Sequence, residues 1–378
     1  MAKTSKISTL HGFMTWVKKI SGFSDAGPEK VALLYRGHAN RKWQLQPSIY
    51  REDGQGKSYR AHEYELYQEM LRRNPDAFGP DKSIFDRLIR MQHNGLPTRL
   101  LDLTENPLIA LFFACENEFH EDGEVLLFRQ IRSIIAYPHA IPDASLAGLE
   151  RKLQFSFLGR MIHDRLDEFL KINEKSKCEC ISVEKEYRKL IQGCRGILMH
   201  MYSNVDRDDL ISISVFLNNI NDAINSFCNE SNPESLKNEC ASDEIYLKTK
   251  LFVLDFESAY RRIVNAIISD FSEDIGITYN RYINIGNFVS QFTTFNFVYP
   301  QLNNERIKRQ QGLFIIWPPM ENKNWGVEKF CCPSRVLIKA DAKKKILKEL
   351  ASLGITRSYL YPELPEQAKD IKELYPPL

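Results

Sequence analysis

The segment Met91–Ala114 constrains the fold of this chain most, because polar and charged groups stand directly before a long apolar run. Gly95 and Pro97 end the preceding helical pattern, since glycine frees the φ angle and proline removes a backbone donor. Asn106-Pro107 then predicts a new helix with proline in its first turn. No charged residue follows before Glu116, so we expect that helix to be buried on nearly all sides.

Three polar residues, Thr98, Arg99 and Asp102, lie among the leucines of this segment. A charge without a partner in apolar surroundings is costly, so these groups must pair or bind something. One interpretation is an Arg99–Asp102 ion pair that holds a turn. The other, which we favour, is a ligand cleft in which a turn over residues 92–104 forms one wall.

The composition is that of an ordinary globular protein. The chain is 43% hydrophobic and 26% charged, and its net charge of +2 does not indicate a nucleic-acid footprint over the whole protein. No apolar run approaches the roughly 20 residues of a membrane-spanning helix. The N-terminus shows no signal-peptide pattern. We therefore expect a cytoplasmic protein that does not associate with a membrane.

The cysteines and histidines do not predict a metal site. The eight cysteines include no C-x-x-C pair, and neither Cys178-x-Cys180 nor Cys331-Cys332 has the usual zinc spacing. His163 and His200 likewise lack a metal-ligand spacing. Reduced thiols in a cytosol are the expectation.

The hydrophobic pattern predicts an α+β fold in three parts. Residues 1–130 mix strand-like runs with amphipathic helices, residues 131–290 read as a helical insertion, and strand-like texture returns over residues 291–378. In the last part we expect a basic turn over residues 304–309 and a core strand over residues 310–317. The predicted core is a mixed sheet with flanking helices.

An apolar run, Val31–Tyr35, predicts a central strand that places Arg36, Gly37 and His38 at its end. An arginine at a strand end, with a glycine behind it, suits the close approach of a phosphate or carboxylate. The alternative is an arginine paired with a nearby acid.

Several motifs together resemble the FRG domain family, named for its Phe/Tyr-Arg-Gly signature. They are Tyr35-Arg36-Gly37-His38 with Trp43, Leu45, Pro47, Ser48 and Tyr50-Arg51; Gln92 through Thr104 with Asn106-Pro107 and residues 110–114; Arg306 through Phe314; and Lys345 through Pro362. The central motif is long and specific. The helical insertion lies outside the resemblance.

A second resemblance, to ADP-ribosyltransferases of the arginine–serine–glutamate type, bears on function. In those enzymes a strand ends in Tyr-Arg-Gly and its arginine contacts a phosphate of NAD, which implies that role for Arg36. Asp102-Leu103-Thr104, followed by Ala110 and Phe113, resembles their second element. The resemblance implies an ADP-ribosyltransferase-like sheet core.

The third element of those enzymes is a strand that carries a glutamate, whereas the corresponding strand here begins Gln310-Gln311-Gly312. An amide hydrogen-bonds a ribose hydroxyl but does not supply a full negative charge. Either Asp102 or Glu305 supplies that charge, or the pocket binds a nucleotide without rapid transfer.

The residues can be assigned roles in this chemistry. Cleaving the nicotinamide–ribose bond builds positive charge at the anomeric carbon, so a nearby carboxylate such as Asp102 stabilises the transition state. Arginine forks suit the diphosphate. The predicted catalytic residues are Asp102, His93 (or His38) as acid–base group, and Gln311. The predicted NAD-binding residues are Arg36, Gly37, His38, Arg99 and Thr104.

The resemblance therefore implies a protein that binds NAD as substrate and transfers ADP-ribose to a protein or nucleic acid, or hydrolyses NAD. A bacterial toxin or phage-defence effector, with a neutralising antitoxin as partner, would fit such an activity. The alternative is a non-catalytic nucleotide or nucleic-acid binding module, in which Arg306, Lys308, Arg309 and residues 343–345 contact phosphates. A nuclease using Asp102 and His93 ranks last, because no paired acidic metal site supports it.

Overall fold

The computed structural model describes residues 5–21, 30–141, 143–150, 155–204, 219, 220, 222–229, 240–275, 292, 294–319 and 333–375. The chain divides into two compact units, one comprising Met1–Ser145 with Phe295–Leu378 and the other Leu146–Thr294. The sequence places these divisions at 130/131 and 290/291. The first unit carries the sheet, and the described parts of the second unit are helical.

A seven-stranded mixed sheet forms the centre of the first unit, in the order β1-β7-β4-β2-β3-β6-β5. β1 and β7 are parallel, and the other neighbours are antiparallel. The predicted α+β class is thus confirmed. The strands are β1 Lys6–Ile7, β2 Val31–His38, β3 Leu100–Thr104, β4 Gly123–Ile131, β5 Asn296–Val298, β6 Gly312–Ile316 and β7 Ser334–Ile338.

The helices of the first unit flank this sheet. They are α1 Leu10–Ser21, α2 Glu63–Arg73, α3 Pro75–Phe78, α4 Ile84–His93, α5 Pro107–Cys115, α9 Glu305–Gln310, α10 Lys343–Ser352, α11 Arg357–Leu360 and α12 Leu364–Leu374. The second unit contains α6 Phe155–Glu174, α7 Ile181–Asn204 and α8 Asp243–Ile275. None of the helices within the described ranges has both the length and the apolar character needed to cross a membrane.

Helix α5 packs directly on the sheet, and Gly37 makes this possible. A Cβ atom at Gly37 would lie 2.0 Å from the Ala110 carbonyl oxygen, and one at Gly123 would lie 2.3 Å from that of Ala114. Both glycines therefore let the helix backbone approach β2 and β4 closely. Most of the apolar side chains of α5 are buried, as its sequence predicts.

Several local signals in the sequence are confirmed. The Ser83 hydroxyl accepts a hydrogen bond from the Asp86 N–H at the start of α4. The Asn106 side chain caps α5 by accepting a hydrogen bond from the Leu108 N–H. Gly354 adopts the left-handed conformation after α10 (φ 81°).

Three local predictions are wrong. Leu100–Thr104 is a strand rather than part of a turn, so Asp102 faces away from Leu101 and Leu103 with the period of two of a β-strand. Residues 305–310 form helix α9 instead of a basic turn, since Asn304 caps the Arg306 N–H. The core strand begins at Gly312, not at residue 310.

Candidate functional site

A cavity of about 250 Å³ lies beside the ends of β2 and β3. These two strands share a single register pair, Tyr35 with Thr104, whereas β2 pairs with β4 along all eight of its residues. The cavity is lined by Tyr35, Arg36, Gly37, Ala39, Trp43, Arg51, Gln92, His93, Asp102, Leu103, Thr104, Phe113, Glu116, Asn117, Arg306, Gln310 and Tyr361. All of them belong to the sheet-bearing unit.

Arg36 projects from β2 into this cavity and is held by neutral acceptors. Its Nη1 donates to the Asp102 carbonyl oxygen at 2.6 Å, and its Nε donates to His38 Nε2 at 3.0 Å. The Asp102 carboxylate is more distant, with 3.9 Å between Nη1 and Oδ2. Burial lowers the pKa of Arg36 to about 10, although the charge of Asp102 opposes this shift.

His38 lies behind Arg36 rather than in the cavity wall, and its contacts fix its tautomer. Arginine only donates, so His38 Nε2 must accept. The proton is then on Nδ1, which donates to Glu124 Oε1 at 3.0 Å. Glu124 in turn accepts from Arg335 Nη1 at 3.3 Å. A buried neutral imidazole thus orients the guanidinium of Arg36, and burial lowers the pKa of His38 accordingly.

Asp102 presents a half-exposed carboxylate to the cavity. The Gln92 amide donates to both of its oxygens at 2.8 Å, and the side chain of Asp102 is 53% exposed. The Thr98 hydroxyl donates to Oε1 of the Gln92 side chain and so fixes the orientation of its amide group. The carboxylate is held in place while its outer side stays open to a ligand.

Arg51 supplies a second guanidinium to the same cavity. Within the part of the chain that the structure describes, this guanidinium makes no hydrogen bond. Burial lowers the pKa of Arg51, and the charge of Asp102 partly offsets this. The charge of Arg51 also helps to lower the pKa of Arg36. Two like charges held this close together favour an anion between them.

His93 lines the cavity as a neutral imidazole. The Asn304 side chain donates to His93 Nδ1 at 3.2 Å, while the Asn304 oxygen accepts from the Arg306 N–H. Burial, with the nearby charge of Arg306, lowers the pKa of His93 to about 4. With Nδ1 occupied and Nε2 protonated, His93 can donate a hydrogen bond but does not accept a proton near neutral pH.

A second carboxylate, that of Glu116, lines the cavity at the end of α5. The Tyr361 hydroxyl lies 3.0 Å from Oε1 and 3.2 Å from Oε2, and Arg357 Nη1 lies 3.2 Å from Oε2. The guanidinium carbons of Arg306 and Arg357 lie 4.8 and 4.9 Å from the centroid of the Tyr361 ring. Burial raises the pKa of Glu116, while Tyr361 and Arg357 oppose this shift.

Arg99, a predicted NAD-binding residue, lies outside the cavity. Its Nε and Nη2 bind the two oxygens of the Glu63 carboxylate at 2.7 and 2.5 Å, and its Nη1 donates to the Ser145 carbonyl oxygen at 3.0 Å. The Arg99–Asp102 ion pair of the alternative interpretation is therefore replaced by an Arg99–Glu63 pair. Arg99 therefore has a structural role, because it joins Glu63 and Ser145 within the sheet-bearing unit.

Gln311 and Thr104 also differ from their predicted roles. Gln311 terminates α9 in the left-handed conformation (φ 46°) and is exposed, whereas its neighbour Gln310 lines the cavity. The Thr104 hydroxyl lines the cavity but donates to the Gln310 carbonyl oxygen at 2.7 Å. It joins the end of β3 to the end of α9.

The structure brings together Arg36, Gly37, His93, Asp102 and Thr104 from the sequence prediction. The sequence motifs predict no site role for Arg51, Glu116 or Tyr361, although all three line the cavity. Arg51 was visible as part of the opening motif. Glu116 and Tyr361 gave no local signal, because 245 positions separate them in the chain.

The comparisons with known proteins identify one part of this unit. The family model for the FRG domain matches residues 31–123, which run from the start of β2 to the start of β4. This part of the chain is an FRG domain, as the Tyr35-Arg36-Gly37 and Gln92–Thr104 motifs predict. Neither the curated proteins nor the solved structures gave a match.

Proposed function

We propose that the sheet-bearing unit binds NAD in this cavity and cleaves its nicotinamide–ribose bond, either transferring ADP-ribose or hydrolysing NAD. The observation that carries the proposal is the combination of Arg36, Arg51 and Asp102 around one cavity. Guanidinium groups suit the diphosphate, and a carboxylate suits the positive charge that develops on the ribose.

The charge on Arg36 supports an anionic ligand. Both of its short hydrogen bonds go to neutral acceptors, a backbone carbonyl and an uncharged imidazole. Among the residues that the structure describes, its Nη2 makes no hydrogen bond. A phosphate would therefore supply the charge-assisted hydrogen bonds that the protein itself does not.

The aromatic rings support a nucleotide rather than a simple anion. Trp43 is 46% exposed beside the cavity, and Tyr35, Phe113 and Tyr361 also line it. The volume of about 250 Å³ lies below the roughly 300–1,000 Å³ of pockets for drug-sized ligands. In our proposal the nicotinamide riboside half enters the cavity and the adenosine half lies across Trp43.

The biological setting belongs to the same proposal. The acceptor would be a protein or a nucleic acid, and the protein would act in the cytoplasm as a toxin or phage-defence effector controlled by a neutralising antitoxin. The support for this setting is the resemblance to ADP-ribosyltransferases.

The test is to incubate the purified chain with NAD and to quantify free nicotinamide by chromatography. We expect Asp102→Asn to lower the rate by roughly 100-fold or more, on the scale of losing a preorganised electrostatic group. Glu105→Gln is the matched control, because Glu105 is an exposed carboxylate that pairs with Arg132 outside the cavity. Wild-type protein that leaves NAD intact would refute cleavage.

The alternative, a non-catalytic nucleotide-binding module, shares the Arg36 and Arg51 site and would bind NAD without releasing nicotinamide. The nucleic-acid version of this alternative is weaker. Lys343 is fully buried, and its ammonium donates to the carbonyl oxygens of Ala39, Asn117 and Glu118. Lys308 pairs with Glu305. These lysines are therefore engaged within the protein.

A further inference from the structure

The cavity contains a carboxylate that the proposed cleavage step does not yet use. Glu116 follows the last residue of α5, and its side chain is 12% exposed, compared with 53% for Asp102. The two carboxylates thus lie in one cavity with different degrees of contact with water. Such a difference is the usual basis for a division of labour between two acidic groups.

Glu116 retains the capacity to accept a further hydrogen bond. A carboxylate offers roughly four acceptor positions. The Tyr361 hydroxyl carries one proton, shared between the two oxygens, and Arg357 Nη1 supplies one more donor. At least one acceptor position therefore remains for an O–H group in the cavity.

We propose that Glu116 accepts the proton of the water or hydroxyl group that attacks the ribose, an assignment that rests on the proposed cleavage of NAD. An oxygen–carbon bond forms at the anomeric carbon as the carbon–nitrogen bond to nicotinamide breaks. The electron pair of that bond neutralises the pyridinium nitrogen, so nicotinamide leaves without needing a proton. The proton released by the attacking oxygen moves to the Glu116 carboxylate.

The two histidines that the sequence offered for this role are both occupied. His38 Nε2 accepts from Arg36, and His93 Nδ1 accepts from Asn304. Asp102 has both oxygens bound by Gln92 and lies beside Arg36, which suits a fixed negative charge. Burial raises the pKa of Glu116 and so makes its carboxylate a stronger base.

The first experiment compares Glu116→Gln with Glu366→Gln in the nicotinamide-release assay. General base catalysis contributes about 10²–10⁴ in rate, so we expect Glu116→Gln to lose at least about 100-fold. Glu366 is the matched control: it binds Arg357 at 2.7 Å, as Glu116 does at 3.2 Å, but it does not line the cavity. If Glu116 acted only by holding Arg357, the two variants would behave alike.

The second experiment uses azide as the attacking group. Azide is an anion with no proton to lose, so it needs no base. In Glu116→Ala, which leaves room for it, azide should restore release of nicotinamide and yield ADP-ribosyl azide. In Asp102→Asn azide should not restore the rate, because the missing charge acts on the ribose and not on the attacking oxygen.

The outcomes separate this assignment from the proposed function. No nicotinamide from wild-type protein would overturn both. An active wild type with Glu116→Gln near its rate would overturn the assignment of Glu116 alone. The same conclusion would follow if Glu116→Ala bound NAD normally yet stayed inactive with azide.

Discussion

Two arginines of the FRG motifs, Arg36 and Arg99, are both largely buried, yet their surroundings differ in charge. Arg99 forms a two-pronged ion pair with Glu63. Arg36 donates to a carbonyl oxygen and a neutral imidazole, and its nearest carboxylate oxygen is 3.9 Å away. Burial alone would lower the pKa of Arg99, but the charge and hydrogen bonds of Glu63 raise it. The pKa of Arg36 falls to about 10.

The comparison teaches that charge compensation, more than burial, distinguishes an arginine that is neutralised within the fold from one that is not. A buried arginine with its own carboxylate is complete within the fold. The positive charge of a buried arginine that is held by neutral groups is not neutralised within the protein, so an anionic ligand can pair with it. The following predictions test this distinction.

The largest effect is expected from Glu63→Ala. Removing one partner of a buried ion pair typically costs about 3–5 kcal/mol, because the other charge stays buried without compensation. Chemical denaturation should show this loss in the free energy of unfolding. Asp102→Ala is the matched control and should lower that free energy far less, since Asp102 is half exposed. Equal losses for the two variants would contradict the comparison.

Arg36→Ala should instead remove ligand binding. Hydrogen bonds to charged groups contribute about 1.5–3 kcal/mol each, so we expect the affinity for ADP-ribose to fall by roughly 10- to 100-fold. Titration calorimetry measures this change. The thermal midpoint should stay within a few degrees of that of the wild type. An unchanged affinity would show that the diphosphate of ADP-ribose does not bind at Arg36.

Glu124→Gln tests the orientation of Arg36 without touching it. His38 and Arg335 donate to different oxygens of Glu124, and in the amide an NH2 group replaces one of these oxygens, so one of the two donors loses its acceptor. We expect the affinity for ADP-ribose to weaken by about tenfold, roughly one lost hydrogen bond. Nitrogen chemical shifts of His38 should show the Nδ1–H tautomer in the wild type and its loss in the variant. If Glu124→Gln kept the wild-type tautomer of His38 and the wild-type affinity, Glu124 would not orient Arg36 through His38.

Arg51→Ala should have a smaller effect on affinity and none on stability. Arg51 is an exposed residue and, among the described residues, its guanidinium forms no hydrogen bond, so its removal breaks no hydrogen bond among them. We expect the affinity for ADP-ribose to fall by about tenfold or less and to depend less on salt concentration. A drop in the thermal midpoint would show instead that Arg51 supports the fold.

The smallest effect is expected from Gln311→Glu. This side chain is exposed at the end of α9, outside the cavity, so the rate of nicotinamide release should change by less than about twofold. Gln310→Glu is the informative counterpart, because Gln310 lines the cavity and donates to the Leu360 carbonyl oxygen. A larger change in this rate for Gln311→Glu would support the catalytic role that the sequence resemblance implies for Gln311.

The sequence predicted those features of the fold that depend on neighbouring residues. The strand that begins at Val31, the buried helix after Asn106 and the left-handed Gly354 all follow from local patterns. Gly95 and Pro97 precede Asp102 so closely that the sequence predicts a turn there. The short alternation of Leu101, Asp102 and Leu103 was the signal for a strand.

The charge partners could not be predicted, because they lie far apart in the chain. Glu63 lies 36 positions from Arg99 in the chain and neutralises it. Glu124 and Arg335 are separated by 211 positions. Sequence periodicity tells which face of an element is buried, but not which charges meet there.

The buried ammonium of Lys343 has a consequence for how much of the chain the site requires. Two of the carbonyls that it binds, those of Ala39 and Asn117, belong to residues of the cavity wall. Both lie inside the recognisable family segment, while Lys343 lies 220 residues beyond its end at residue 123. A fragment cut at that end would keep the Tyr35-Arg36-Gly37 and Gln92–Thr104 motifs but leave this wall without the ammonium that binds its carbonyls. Deleting α10 would therefore remove a support of the cavity wall, although α10 lies outside the matched segment.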